Sequence, residues 1–205
     1  MARKKICVMA SGTGTTFKEI ASSCRSGVID GNVMALITDK PGSGAAKIAE
    51  SIGISVLKFS PGHLEATLNS LKNIEPDLVV LAGFLKILPQ EFIREFSGKI
   101  INIHPSLLPA FGGKGMYGIH VQEVVISSGT KITGCTAHFV TDSVDAGPVI
   151  AQETVPVMDN DTPQSLQERV HRIELRLYVE VISALLTYEH EVCGNRVAFK
   201  NRLIQ

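Results

Sequence analysis

Ile6-Cys7-Val8-Met9-Ala10-Ser11-Gly12-Thr13-Gly14-Thr15-Thr16 decides the fold. Five apolar residues in a row have the length of a strand buried on both faces, and the glycines and hydroxyl residues that follow have the composition of a tight turn into a helix. The helical pattern begins near Thr16 and runs to Ser26. A buried strand, a glycine turn and an amphipathic helix together make the first half of a βαβ unit, in which a parallel sheet is covered on both faces.

The same rhythm recurs. Val33 to Thr38, Ser55 to Phe59, Leu78 to Ala82 and Ile100 to Ile103 are further short strand-like runs, separated by helical patterns near Ser43 to Ile52, Gly62 to Leu71 and Pro89 to Phe96. After a long loop, Gly118 to Ser127 reads as another helix. Thr133 to Thr141 and Pro148 to Pro156 read as two strands joined by Asp142 to Gly147, a joint short enough to make them an antiparallel hairpin. A last helix opens at Thr162, with Asp161 as its expected cap, Pro163 in its first turn and apolar residues recurring from Leu166 through Leu186. The tail from Gly194 is read as either an edge strand or disordered. The expected architecture is one α/β domain over residues 1–205: an open, doubly wound, mostly parallel but mixed sheet of about seven strands.

Composition narrows the function. Lys plus Arg and Asp plus Glu are 20 each, so no global field draws in a polyanion and a nucleic-acid partner is not expected. The apolar run after Met1-Ala2-Arg3-Lys4-Lys5 stops at Ser11, too soon for a signal peptide or a membrane span. Cys7, Cys24, Cys135 and Cys193 have no CxxC spacing and read as reduced thiols of a cytoplasmic protein. Neither they nor the 6 histidines have the spacing of a metal site, so metal-independent chemistry is expected.

In a sheet of this kind ligands gather at the carboxyl ends of the strands. The turn Ser11 to Thr16 sits at such an end, where glycines allow close backbone approach and a helix amino terminus supplies N–H donors for phosphate. It lacks the lysine of a Walker A loop and does not complete a dinucleotide fingerprint; a ligand-free glycine turn would look the same. Ala82-Gly83-Phe84-Leu85-Lys86-Ile87-Leu88 follows the fourth strand, and its apolar residues form either a wall of a flat pocket or ordinary core at a corner. In Asn102-Ile103-His104-Pro105-Ser106-Leu107-Leu108-Pro109, residues 102 and 104 project to one side of a strand that Pro105 ends. An amide and an imidazole there can serve a developing oxyanion or move a proton, although a satisfied structural histidine is the alternative. His138-Phe139-Val140-Thr141-Asp142-Ser143-Val144-Asp145-Ala146-Gly147-Pro148 brings two carboxylates to the hairpin joint; Asp142 suits the turn itself, and Asp145 is the better candidate to orient His104.

These blocks, in this order and spacing across nearly the whole chain, resemble the phosphoribosylglycinamide formyltransferases of purine synthesis. The resemblance implies a Rossmann-like formyltransferase fold, 10-formyltetrahydrofolate as co-substrate, phosphoribosylglycinamide as acceptor, and action as a monomer or a homodimer. It implies Asn102, His104 and Asp145 as the catalytic trio, and Gly14, Thr15 and Thr16 as the grip on the substrate phosphate. Leu85, Lys86, Ile87 and Leu88 would line the folate site with Val140, Thr141 and the loop to Asp145, and Glu174 would contact the glycinamide. Relatives follow that glutamate with His and then Tyr-Pro, whereas here Leu175 follows and Tyr178 precedes Val179. Their folate-touching arginine has no counterpart in Ser60 to Leu64. The loop Ala110 to Gly118 resembles one branch of the family and reads as a mobile flap. Relatives that hydrolyse formyl folate carry an added amino-terminal domain, and those that formylate methionyl-tRNA a basic carboxyl-terminal one; this chain shows neither.

Overall fold

The computed structural model describes residues 3–60, 62 and 64–200, so the expectations for Pro61, His63 and the last five residues fall outside the described residues. The chain forms two compact units, one running to Asn102 and the other starting at Ile103.

The first unit alternates strand and helix without exception: β1 Lys4–Met9, α1 Thr15–Ser26, β2 Gly31–Thr38, α2 Gly44–Ser51, β3 Ser55–Lys58, α3 Leu64–Ile74, β4 Leu78–Leu81, α4 Gln90–Glu95 and β5 Ile100–His104. The strands are all parallel and lie in the order β3-β2-β1-β4-β5. Every residue of β4 and the last four of β1 are buried, as a strand covered by helices on both faces requires. Phe92 of α4 and Phe96 at its end meet Phe59 and Phe84 in a chain of edge-to-face or tilted contacts, with centroids 5.1–6.2 Å apart. The sequence reading of this unit holds to within a few residues at each end.

β5 carries the chain into the second unit, which contains α5 Ile119–Ser127, β6 Ile132–Phe139, β7 Val149–Pro156, α6 Pro163–Thr187, β8 His190–Cys193 and β9 Arg196–Phe199. β6 and β7 form the expected antiparallel hairpin, with Thr136 opposite Gln152. α6 packs on that hairpin and buries Leu166, Val170, Leu177, Tyr178, Val181 and Ile182. Two expectations are corrected. The described residues contain nine strands rather than about seven, because the tail forms a hairpin, β8 with β9, that joins β7 in parallel at Val149 and Arg196. Both strands are short and largely exposed, so no buried run announces them; the two-residue turn Gly194-Asn195 is their signal. The cap of α6 is Thr162, not Asp161. Thr162 Oγ1 accepts from the Ser165 amide at 3.1 Å and Ser165 Oγ accepts from the Thr162 amide at 3.0 Å. Asp161 instead takes both arms of Arg169, at 2.7 and 2.8 Å, which holds its carboxyl below the usual carboxylate range.

Candidate active site

The glycine turn of the first unit is shaped by backbone contacts. Gly14 caps α1 in the left-handed conformation, φ 86°, and no side chain caps the helix, so its first N–H groups remain available to an anion. Thr15 is exposed and Thr16 half-buried beside them. A Cβ on Gly14 would stand 2.6 Å from Ala45 Cα, and one on Gly44 would run into the Thr13 carbonyl. The turn is therefore pressed against the start of α2, where Gly12 O accepts from the Ala45 amide at 3.2 Å. Ser11, buried at the end of β1, donates to Asp39 Oδ1 at 2.6 Å and accepts the Leu85 amide at 3.3 Å. That hydroxyl ties the predicted phosphate turn to the predicted folate segment, a link with no local signal in the sequence. Along that segment Leu85 and Ile87 are 51% and 65% exposed, Lys86 is exposed and Leu88 is buried at the corner. Two apolar side chains held open to solvent suit a flat aromatic ligand.

In the second unit the structure brings His104 and Asp145 together. Both are nearly buried, with Nδ1 of His104 3.5 Å from Asp145 Oδ2. Nε2 of His104 lies 2.9 Å from the Phe111 carbonyl, so it is the donor there. Both ring nitrogens therefore face acceptors. Asp145 adopts a positive φ, 53°, unusual for a residue with a side chain, and its Oδ2 also accepts the Gly113 amide at 2.9 Å. Asn102 stands two residues before His104 on β5, paired in register with Leu81. Val140 and Thr141, half-buried, lead directly from β6 into the loop that carries Asp145, while Asp142 is exposed on it.

A second histidine, assigned no role from sequence, faces the same carboxylate: His138 Nε2 is 3.8 Å from Asp145 Oδ1, and its Nδ1 donates to the Phe139 carbonyl at 2.9 Å. Burial lowers its pKa, as does the neighbouring His104, against the opposing pull of Phe139 and Asp145, so His138 favours the neutral form. Behind His104 the chain is locked by the buried Gln122 and Thr136 and the half-buried Gln152. Gln122 donates to Pro105 O at 2.8 Å. Thr136 donates to Ser106 O at 2.7 Å and accepts from Leu108 N at 2.9 Å, and Gln152 donates to Leu108 O at 2.9 Å.

The loop read as a mobile flap is anchored in its first half. Ala110 O accepts from Ser106 Oγ at 2.8 Å, Phe111 O takes His104 and Gly113 N holds Asp145. Glu174 lies on α6 and pairs with His171, Nδ1 to Oε2 3.2 Å. Among the described residues no group of three or more His, Cys, Asp or Glu is placed to hold a metal ion, and no helix is long and apolar enough to cross a membrane. All four cysteines are free, and burial pushes Cys7 up to about 12 and Cys24 up to about 11.

The formyl transferase family profile matches residues 4–182, which include the Asn-x-His strand and the hairpin that returns Asp145 to His104. The chain belongs to this family, in the branch of the phosphoribosylglycinamide formyltransferases. It is 44% identical to the chloroplastic phosphoribosylglycinamide formyltransferase of Arabidopsis thaliana, over 97% of this chain and 68% of that one. The Bacillus subtilis phosphoribosylglycinamide formyltransferase is 34% identical over 89% of this chain and 95% of its own. Among solved structures, glycinamide ribonucleotide transformylase 1 from Symbiobacterium toebii superposes with a TM-score of 0.88 at 35% identity, covering 97% of this chain and 94% of that one.

Proposed function

We propose that this chain transfers the formyl group of 10-formyltetrahydrofolate to the primary amine of 5-phosphoribosylglycinamide, a step of purine biosynthesis. The observation that carries the reading is the His104–Asp145 pair: a histidine whose nitrogens both face acceptors, beside a nearly buried carboxylate. The amine attacks the formyl carbon and the carbonyl oxygen becomes an oxyanion. Asn102 and protonated His104 stabilise that oxygen, and Asp145 with a water molecule carries the proton from the attacking nitrogen to N10 of the departing folate. Gly14, Thr15 and Thr16 hold the substrate phosphate through the helix terminus. Leu85, Lys86, Ile87 and Leu88, with Val140 and Thr141, receive the folate, and Glu174 receives the glycinamide amine.

The family profile runs unbroken across the boundary of the two units, which supports residues 1–205 acting as one catalytic domain. The enzyme works on small molecules, without nucleic acid, as a monomer or homodimer. Free cysteines, three of them buried, support a reducing compartment such as the cytoplasm.

The test is to mix the protein with 10-formyltetrahydrofolate and follow absorbance with and without phosphoribosylglycinamide. Formyl loss that requires the amine is the expected result. Equal loss without the amine would replace transfer by hydrolysis.

A further inference from the structure

Two carboxylates of the second unit each take a cation from α6, and the cations differ in kind. Glu153 of β7 meets Arg176, whose guanidinium stays charged at any pH a protein encounters. Glu174 meets His171, one turn earlier on the same helix face. Glu174 is only 14% exposed in its side chain, and a carboxylate so far from water needs a donor. His171 is that donor, and the bond to Glu174 raises the imidazole's pKa against the opposing effect of burial. Glu153 stands opposite Cys135 of β6 in the hairpin register, and the pKa of the Cys135 thiol is raised by burial first and by Glu174 and Glu153 after it. One of them is permanently matched; the other has a weaker partner that engages a single oxygen, Oε2.

We infer that His171 is the positioning residue for Glu174: it fixes the carboxylate so that Oε1 meets the incoming amine. The inference rests on the role proposed above for Glu174. A glutamate side chain loses rotamer freedom when it binds a ligand, and a partner that orders it beforehand removes that cost from binding. Arg176, engaged with Glu153, does not offer this service, and Leu175 has no donor to offer.

Steady-state kinetics on the wild type, His171→Ala and His171→Gln decide the matter, with KM measured separately for each substrate. His171→Ala is expected to raise KM for phosphoribosylglycinamide about fivefold to tenfold, the cost of ordering one long side chain on binding, with kcat and the KM for formyl folate unchanged. His171→Gln, whose amide still donates to Oε2, should restore most of the loss. A double variant with Glu174→Ala should be no worse in KM than Glu174→Ala alone. An unchanged KM in His171→Ala, a glutamine variant as poor as the alanine one, or additive effects in the double variant would each overturn the inference while leaving formyl transfer intact. If His171→Ala does not fold, the glutamine variant decides: a KM near wild type supports the inference and a tenfold rise overturns it. A wild-type protein that transfers no formyl group to the amine takes down the proposed function, and this inference with it.

Discussion

The turn at Gly12 to Thr16 and the strand end at His104 do opposite jobs with opposite materials. The turn is made of backbone: its donors are helix N–H groups, and its shape depends on what is missing, since any Cβ at Gly14 collides with α2. The strand end is made of side chains, each held by others: Phe111 O on His104, Gly113 N on Asp145, and Gln122, Thr136 and Gln152 on the chain between. A backbone site of the kind proposed for the substrate phosphate has no side chain to titrate. A side-chain site can gain and lose a proton, and must be held rigidly while doing so.

The contrast breaks most readily at His104. Under the proposed mechanism, His104→Ala removes a group that stabilises the oxyanion and should lower kcat by about a hundredfold or more, about 3 kcal/mol in the barrier, with Asn102→Ala similar. KM for the phosphorylated substrate should hardly move, because the turn is untouched. Saturating turnover close to wild type in either variant would remove these residues from the chemistry.

Gly14→Ala attacks the other side. A methyl group 2.6 Å from Ala45 Cα, on backbone with φ 86°, should cost on the order of 1–3 kcal/mol of stability and raise KM for phosphoribosylglycinamide several-fold with little change in kcat. Gly12→Ala is the control, since nothing lies within 4 Å of its Cβ position. Thermal unfolding and KM should separate the two; equal effects would mean that the loop is not shaped by α2.

The comparison also shows which parts of the molecule could be read from the chain. His104 and Asp145 were legible because strand periodicity, a terminating proline and a short hairpin joint are local signals. Gln122, Thr136, Gln152 and the Ser11–Asp39 link were not, because each acts on a residue 16 to 44 positions away. His138 lies in the same stretch of sequence as Asp145, but its facing that carboxylate depends on how the hairpin closes. The glycines at 112 and 113 suggested motion. Yet a Cβ at Gly112 would collide with Leu108 and stand 3.3 Å from Asp145 Cβ, so this glycine serves close approach.

Acid should distinguish the two kinds of site. Folded His138 has a pKa below its ordinary 6.5, so between the lowered value and about 6.5 the unfolded chain binds more protons. Its contribution to stability is present above about pH 6.5 and is lost as pH falls through that window. His171, with a raised pKa, contributes below about pH 6.5 and loses that contribution as pH rises through its folded value. Melting temperatures at pH 5.5 and 7.5 should therefore differ less in His138→Gln than in the wild type and more in His171→Gln, while Gly12→Ala leaves the difference unchanged. A His138→Gln protein with the wild-type pH dependence would mean that this histidine is not kept neutral.

The smallest effect lies at the start of α6, where the same division between backbone and side chain can be weighed without touching either site. Thr162 satisfies one orphan N–H of the helix through Oγ1, while Asp161 binds Arg169, Ser165 Oγ and the Met158 amide. Thr162→Ala should cost about 1 kcal/mol and Thr162→Asp close to nothing, because aspartate caps as well as threonine. Asp161→Asn keeps the cap and weakens the charged pair with Arg169, so its cost should shrink in high salt, whereas that of Thr162→Ala should not. Salt-independent losses at both positions would mean that Asp161 acts as a hydrogen-bond acceptor alone, and that the charge on Arg169 contributes nothing to holding the helix on the hairpin.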